Sequence, residues 1–493
     1  MKNKIFILIV LTIFLGACTE DFLELENPNL LTQSSFWKTE ADLESGVAAI
    51  YANLGGAWNN TYWDQAGIHT RAGRTENFIM RTDVAARYRI CRFLNEPANG
   101  ASTALYRGAY RSIFYCNQAI HYGELMEDID ATAKKELIAE AKFLRGLFYS
   151  YLVSDFGAIP LITDIAESSD DYFVAKSSME EVWQQVFLDW NAAKADLPIS
   201  YSNDKKGRAT KGTVIAFLGR AYLYRGEFDK VITELSELVN NESKYGYGLL
   251  DNYQDLFDGS HENSIESVFA IQFGLPELGL HTVIGQENGP ANVGWWELMP
   301  TKTLLDALTM EKAADGDFDP RATASLAWNY PGCVFYQRNF LDEWNEDDIW
   351  IKKYQRYWLE NEGNWRSSVD EYAMRYADVL LMYAEALTMT NKVSQAVPFV
   401  TRIRDRAKLA DKTSEMMGWS QQQMMEEIMH QRNVEFNREG LRWYDLRRWG
   451  ITEEVIKAGK ALGWENFSSK HLYYPIPEAE LDNNPAMTQN DPW

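Results

Sequence analysis

Residues 209–245 read ATKGTVIAFLGRAYLYRGEFDKVITELSELVNNESKY, and their spacing decides the fold. Leu218, Gly219 and Tyr222 share one helical turn, Gly226 interrupts the chain before Phe228, and Val231, Leu235 and Leu238 recur at helical intervals. Large-Gly-x-x-aromatic, then Gly-x-aromatic, then three spaced apolar positions is the pattern of a tetratricopeptide hairpin. Gly219 lacks the side chain that would hold the two helices apart, so a close crossing is expected there.

A weaker copy lies at 375–407, RYADVLLMYAEALTMTNKVSQAVPFVTRIRDRA, where Ala384 takes the glycine position and Ala396, Val400 and Ile403 continue the series. KKELIAEAKFLRGLFYSYLVSDFG, 134–157, reads as a further long amphipathic helix that stops at Gly157, with Pro160 just beyond. Such hairpins cannot bury their apolar faces alone, so several must stack, and the chain is expected to be mainly α. Between them the texture changes. Residues 258–370 and 55–77 are rich in Gly, Asn, Pro and Trp and poor in helical periodicity. Long loops inside a compact body are where binding residues concentrate.

The N-terminus reads MKNKIFILIVLTIFLGACTEDFLELE. Its apolar run is too short to span roughly 30 Å of hydrocarbon permanently and has the form of a secretory signal. LGAC resembles a bacterial lipoprotein box, in which Cys18 becomes the acylated N-terminus. The alternative is a periplasmic protein in which Cys18 is incidental. Acylation on more than one chain gives a stable anchor, so contact with the membrane is expected through lipid only. The formal net charge is −23, more negative still once Lys2 and Lys4 leave with the signal. That balance opposes nucleic acid as a partner. Cys18, Cys91, Cys116 and Cys333 show no CxxC spacing and specify neither a disulfide framework nor a zinc site.

No HExxH, GxSxG or phosphate-loop pattern is present, and the six histidines do not cluster in sequence. Neither enzymatic activity, nor a cofactor, nor a metal is expected. A glycosidase carboxylate pair, at roughly 5–5.5 Å or 6.5–9.5 Å, is a matter of geometry that spacing does not reveal. From Glu435 to Trp449, Arg438, Arg442, Arg447 and Arg448 alternate with Glu435, Glu439 and Asp445 beside Trp443 and Trp449. Alternating signs beside tryptophans suit a partly buried pairing network better than an anion site.

EEIMHQRNVEFNREGLRWYDLRRWG at 426–450, HLYYPIPEAELDNNPAMTQNDPW at 471–493, FLRGLFYSYLVSDFGAIPLI, RYADVLLMYAEAL and the DPR at 319–321, after a lipoprotein start, resemble the SusD/RagB family. The resemblance covers nearly the whole mature chain. It implies a tetratricopeptide-containing α-superhelix with a loop-rich lobe, anchored at the cell surface, that serves as the capture lid of a SusC-like TonB-dependent transporter. Most members bind glycans, and the RagB branch captures peptides. The acids after Cys18 resemble the signal that sends such lipoproteins to the cell face.

The expected organisation is a signal peptide at 1–17, a lipidated tether at 18–40, a helical scaffold at 41–257 with a binding loop at 55–105, a loop-rich lobe at 258–370, and C-terminal repeats with the family-typical tail at 371–493. Aromatic faces pack on sugar rings, while amides and guanidinium groups meet the hydroxyls. The candidate ligand residues are therefore Trp58, Asn59, Asn60, Tyr62, Trp63 and Arg81 near the first loop, Trp295 and Trp296 in the lobe, and Trp328, Tyr330 and Trp344 further on. Many glycan-binding members carry a tryptophan just before the helix aligned with ALYRGAYRSIFYCNQAI, whereas this chain has none between Trp63 and Trp183.

Overall fold

The computed structural model describes residues 36–493 apart from 56–61, 203–204, 275–280, 363–364 and 460–462. Cys18, Trp58, Asn59 and Asn60 lie outside them. Thr210 opens the diagnostic hairpin: its hydroxyl accepts from the Thr213 N–H, and the helix Lys211–Tyr224 follows. Gly226, at φ +71°, makes the turn into Phe228–Val239, where Val231, Leu235 and Leu238 are buried as the spacing requires. A Cβ on Gly219 would stand 2.3 Å from Leu235 Cδ2, so the helices touch where the sequence leaves a side chain out.

The long helices Gly100–Leu125, Ala131–Phe156, Met179–Asp196, Lys211–Tyr224 and Phe228–Val239 each pack on the next. The last then packs on Tyr376–Met389, which pairs with Val393–Arg406 and meets Gln421–Glu435. The two repeat copies, far apart in sequence, thus adjoin in one helical array. Asp130 caps Ala131–Phe156 by accepting from two N–H groups at 2.9 Å. At the other end of that helix the C-terminal tail closes over it: the Tyr474 N–H donates to the Asp155 carbonyl at 2.7 Å, and Asn490 Nδ2 donates to the Phe156 and Ala158 carbonyls.

The segment between the repeats leaves and re-enters the array through an antiparallel pair, Ser267–Ile271 with Glu371–Arg375. A second pair, Phe78–Met80 with Leu298–Pro300, ties the N-terminal irregular stretch to the same lobe. The lobe has its own small cores, one around Leu298, Leu304, Leu326 and Ile351 and one around Phe335, Tyr336, Phe340 and Trp350.

The charged C-terminal stretch is a buried network. The Glu435 side chain is fully enclosed, accepts from Arg375 at 2.9 Å and from Arg406, and lies 3.4 Å from Arg321. These guanidinium groups hold its carboxyl well below the usual range against the opposing effect of burial. Arg432 bridges Asp378 and Asp445 at 2.6 and 2.8 Å, and Arg448 joins Asp445 to Glu385. Arg447 differs from the expectation of a charge pair. Its guanidinium donates to the Ser154 carbonyl at 2.6 Å and lies over the Tyr473 ring, tying helix to tail without a carboxylate.

Candidate functional site

The pairing of 78–80 with 298–300 sets Arg81 beside the end of the 289–296 loop. The Arg81 N–H donates to the Glu297 carbonyl at 2.8 Å, its guanidinium donates to the Trp295 carbonyl, and Asp83 accepts from Nε at 2.5 Å. That guanidinium also lies 5.5 Å from the Trp296 ring centre, a cation–π brace. Gly289 and Gly294 cross so closely that a Cβ on Gly294 would meet the Gly289 Cα at 2.5 Å. The pinch throws Trp296 outward at φ +43°, with 37% of its surface exposed. Trp295 is half-buried beside it.

A second aromatic patch stands near the base of this loop. Thr282 and Ser367 exchange backbone hydrogen bonds at 2.9 Å, bringing His281 to 6.3 Å from the Trp365 ring, and the Arg366 guanidinium lies 5.4 Å from the centre of the same ring. Trp365 and Trp358 are each 40% exposed. Glu362, between them in sequence, is fixed by Arg356 Nε at 3.1 Å and by the Tyr336 hydroxyl. Flat aromatic faces flanked by guanidinium and imidazole groups are suited to stack on and hydrogen-bond a polar ring or an extended polar chain.

The sequence-based candidates divide. Arg81, Trp295 and Trp296 come together. Tyr62 and Trp63 do not reach solvent: they are 1% and 2% exposed and pack on Tyr151 at 4.8 and 5.2 Å. Trp328 is buried against Phe318 and Tyr330, with Tyr330 half-buried beside it. Trp344 is buried against Phe335 and Phe340, and its indole N–H donates to the Ala291 carbonyl at 3.0 Å. These four aromatics, Tyr62, Trp63, Trp328 and Trp344, anchor loops from beneath, where a large apolar ring is worth most. Trp358, Trp365 and His281 are not among the sequence-based candidates. The Gly and Asn before Trp365, in NEGNW at 361–365, are the signal that marks it as a loop aromatic.

With this geometry in place, comparison with known proteins is specific. A SusD family model matches residues 266–493, and a model described as "Starch-binding associating with outer membrane" matches 21–223. SusD-like protein P2 of Formosa agariphila is 29% identical over the full length of both chains. A crystal structure of a SusD superfamily protein from Bacteroides vulgatus is 33% identical, covers 93% of this chain and all of its own, and superposes with a TM-score of 0.86. A laminarin binding SusD-like protein is 25% identical, with 92% of this chain and all of that one covered and a TM-score of 0.76. A mainly helical repeat scaffold carrying a loop-rich lobe is the architecture of the SusD type. The chain belongs to the SusD/RagB family.

Proposed function

We propose that the protein captures oligosaccharides at the cell surface and passes them to a SusC-like TonB-dependent transporter. The observation that carries this is Trp296, turned outward by a pinched loop and braced by Arg81, with Trp365 and Trp358 on adjoining segments. A buried ring would serve the core; an exposed one held in place by a guanidinium serves a ligand. The relatives support a sugar in particular, one being named for laminarin and the matching model for starch. Lipid anchorage through Cys18 follows from the LGAC box, and among the described residues no helix is long and apolar enough to cross a membrane. Capture without turnover is the expected behaviour, as no catalytic constellation is legible in the sequence.

A glycan array probed with the fragment that starts after Cys18 identifies the ligand. Titrating that glycan against Trp296→Ala and Trp365→Ala should then show about 2 kcal/mol lost per true platform, ~30-fold in affinity, with melting unchanged. Wild-type affinity in both variants would remove the site from this surface. An empty array together with binding to extended peptides would assign the protein to the peptide-capturing RagB type, and product release abolished by a single Asp or Glu change would make it a hydrolase.

A further inference from the structure

Beneath the Trp296 loop three ionisable side chains from distant parts of the chain converge out of reach of solvent. His69 comes from the helix Gln65–Gly73, Glu287 from Ile284–Asn288, and Glu297 from the residue before Leu298–Pro300. Their exposures are 0%, 0% and 7%. His69 Nε2 lies 3.9 Å from Glu287 Oε2, and Nδ1 lies 4.0 Å from Glu297 Oε2. One donor atom from each of the three residues falls within 4.8 Å of the others.

Charge around this cluster does not balance. Neither oxygen of Glu287 has a hydrogen-bond partner among the described protein groups, nor does the Asn288 side-chain amide nitrogen. Arg87 is the nearest cation: it lies 2.8 Å from Glu297, donates to His69 Nδ1 at 2.7 Å, and comes only to 3.7 Å from Glu287. Asp64 and Asp83 add negative charge from neighbouring elements; Arg81 is taken by Asp83, and Arg438 by Glu371 at 2.7 Å. Burial pushes the Glu287 carboxyl well above its usual range, and the imidazole of His69 well below its own. A buried carboxylate without a hydrogen bond is expensive and is relieved by a proton or by a cation.

Donor chemistry favours the cation. A neutral imidazole nitrogen and two carboxylates suit first-row divalent ions of the zinc class, at about 2.0–2.2 Å per bond. One donor atom from each residue lies within 4.8 Å of the others, so the three side chains draw together to share one ion, and His69 exchanges one of its present hydrogen bonds, Nε2 with Asn288 Oδ1 at 2.8 Å or Nδ1 with Arg87 at 2.7 Å, for the metal. Calcium prefers an all-oxygen shell. We propose that His69, Glu287 and Glu297 form a binding site for a divalent first-row cation, which cross-links the 65–73 helix to both ends of the 289–296 loop. The bound ion fixes the base on which Trp296 stands. That consequence rests on Trp296 as a ligand platform, whereas the ion site itself does not. Arg87, at the cluster's edge with 13% of its side chain exposed, competes for the same donors.

The test uses the mature protein, stripped with EDTA, dialysed, and titrated calorimetrically with zinc chloride and separately with calcium chloride, with a melting curve for each state. Stoichiometric zinc binding that raises the melting temperature, with weaker calcium binding, is the expected result. Glu287→Gln and Glu297→Gln should each weaken zinc by ~100-fold or more, and Arg87→Ala should tighten it. The Gln variants retain shape and lose charge, and far-UV circular dichroism verifies their fold. Absence of zinc binding in wild type would mean that a proton alone neutralises the cluster and would overturn the proposal. Undiminished zinc affinity in both Gln variants would place the ion on surface acids and overturn it equally.

Discussion

Replacing Gly219 tests the packing on which the whole array depends. An added Cβ would lie 2.3 Å from Leu235 Cδ2, 2.6 Å from Cγ and 3.0 Å from Cδ1, against the roughly 3.5–4.0 Å that carbon atoms prefer. The clash falls on the branch point of Leu235, a fully buried side chain, so rotating one methyl group does not relieve it. Overpacking of this kind costs about 1–3 kcal/mol. With contact at the branch point the upper end applies, and the helix propensity gained by alanine returns about 1 kcal/mol. Gly219→Ala should therefore destabilise by about 2 kcal/mol, and Gly219→Leu by more. Leu235→Ala alone should cost about 2–5 kcal/mol through its cavity. In the double variant the new methyl group occupies part of that cavity, so the two costs should fall short of their sum by ~1 kcal/mol or more. Urea unfolding followed by circular dichroism, with calorimetry as a second probe, measures all four proteins of the cycle. Additivity within about 0.5 kcal/mol would refute direct contact between residues 219 and 235.

Two further predictions concern buried charge. Glu435→Gln leaves Arg321, Arg375 and Arg406 without their shared carboxylate while each retains another acid, so a loss of about 3 kcal/mol is expected, with ligand affinity intact in the folded fraction; normal melting with lost binding would move the site to the C-terminus. Asp370 is buried beside Glu262, and burial raises it to about 8 and Glu262 to about 7. The folded state thus retains a proton that the unfolded chain releases near pH 4, and this stabilising contribution is complete below about pH 4 and is lost as pH rises through 8. Asp370→Asn, which can still accept from the Phe273 N–H, should gain stability over wild type by a few kcal/mol between pH 4 and 8, whereas a pH-independent difference would contradict the shift.

What was legible in the sequence followed from local rules. Gly219, Gly226 and the apolar spacing of 231, 235 and 238 specify a hairpin without help from the rest of the chain, and its structure matches. The lobe has no such grammar. Its strands run two to five residues, too short for an alternation to show, and their partners are remote: Phe78 faces Pro300, and Glu371 faces Ile271. Tyr62 and Trp63 sit in a polar stretch and read as surface aromatics in the sequence, but Tyr151, far along the chain, supplies the wall that buries them. Trp365 carries only the loop signal of its Gly/Asn flank, and the Thr282–Ser367 bridge, invisible in sequence, sets it beside His281. His69 carried no signal at all until the lobe folded Glu287 and Glu297 against its helix.

Short strands raise a question that the C-terminal network answers. A five-residue pair with irregular register is a weak neck for a lobe of about a hundred residues, because backbone hydrogen bonds alone permit slippage by a register step. Side-chain charge fixes what the ladder does not. Arg375, the last residue of one strand, donates to Glu266 just before the other at 2.7 Å and to Glu439 of the C-terminal stretch at 2.7 Å. Glu371, the first residue of that strand, takes both oxygens to Arg438. Lys353 reaches from within the lobe to Glu439 at 2.6 Å. A shift of the neck by one residue would strand several charges in a space that water does not enter, at several kcal/mol each. The charged C-terminal stretch, which reads in the sequence as a pairing network, therefore fixes the register of the neck through Arg438 and Glu439, with Arg375 and Lys353 as their partners across it.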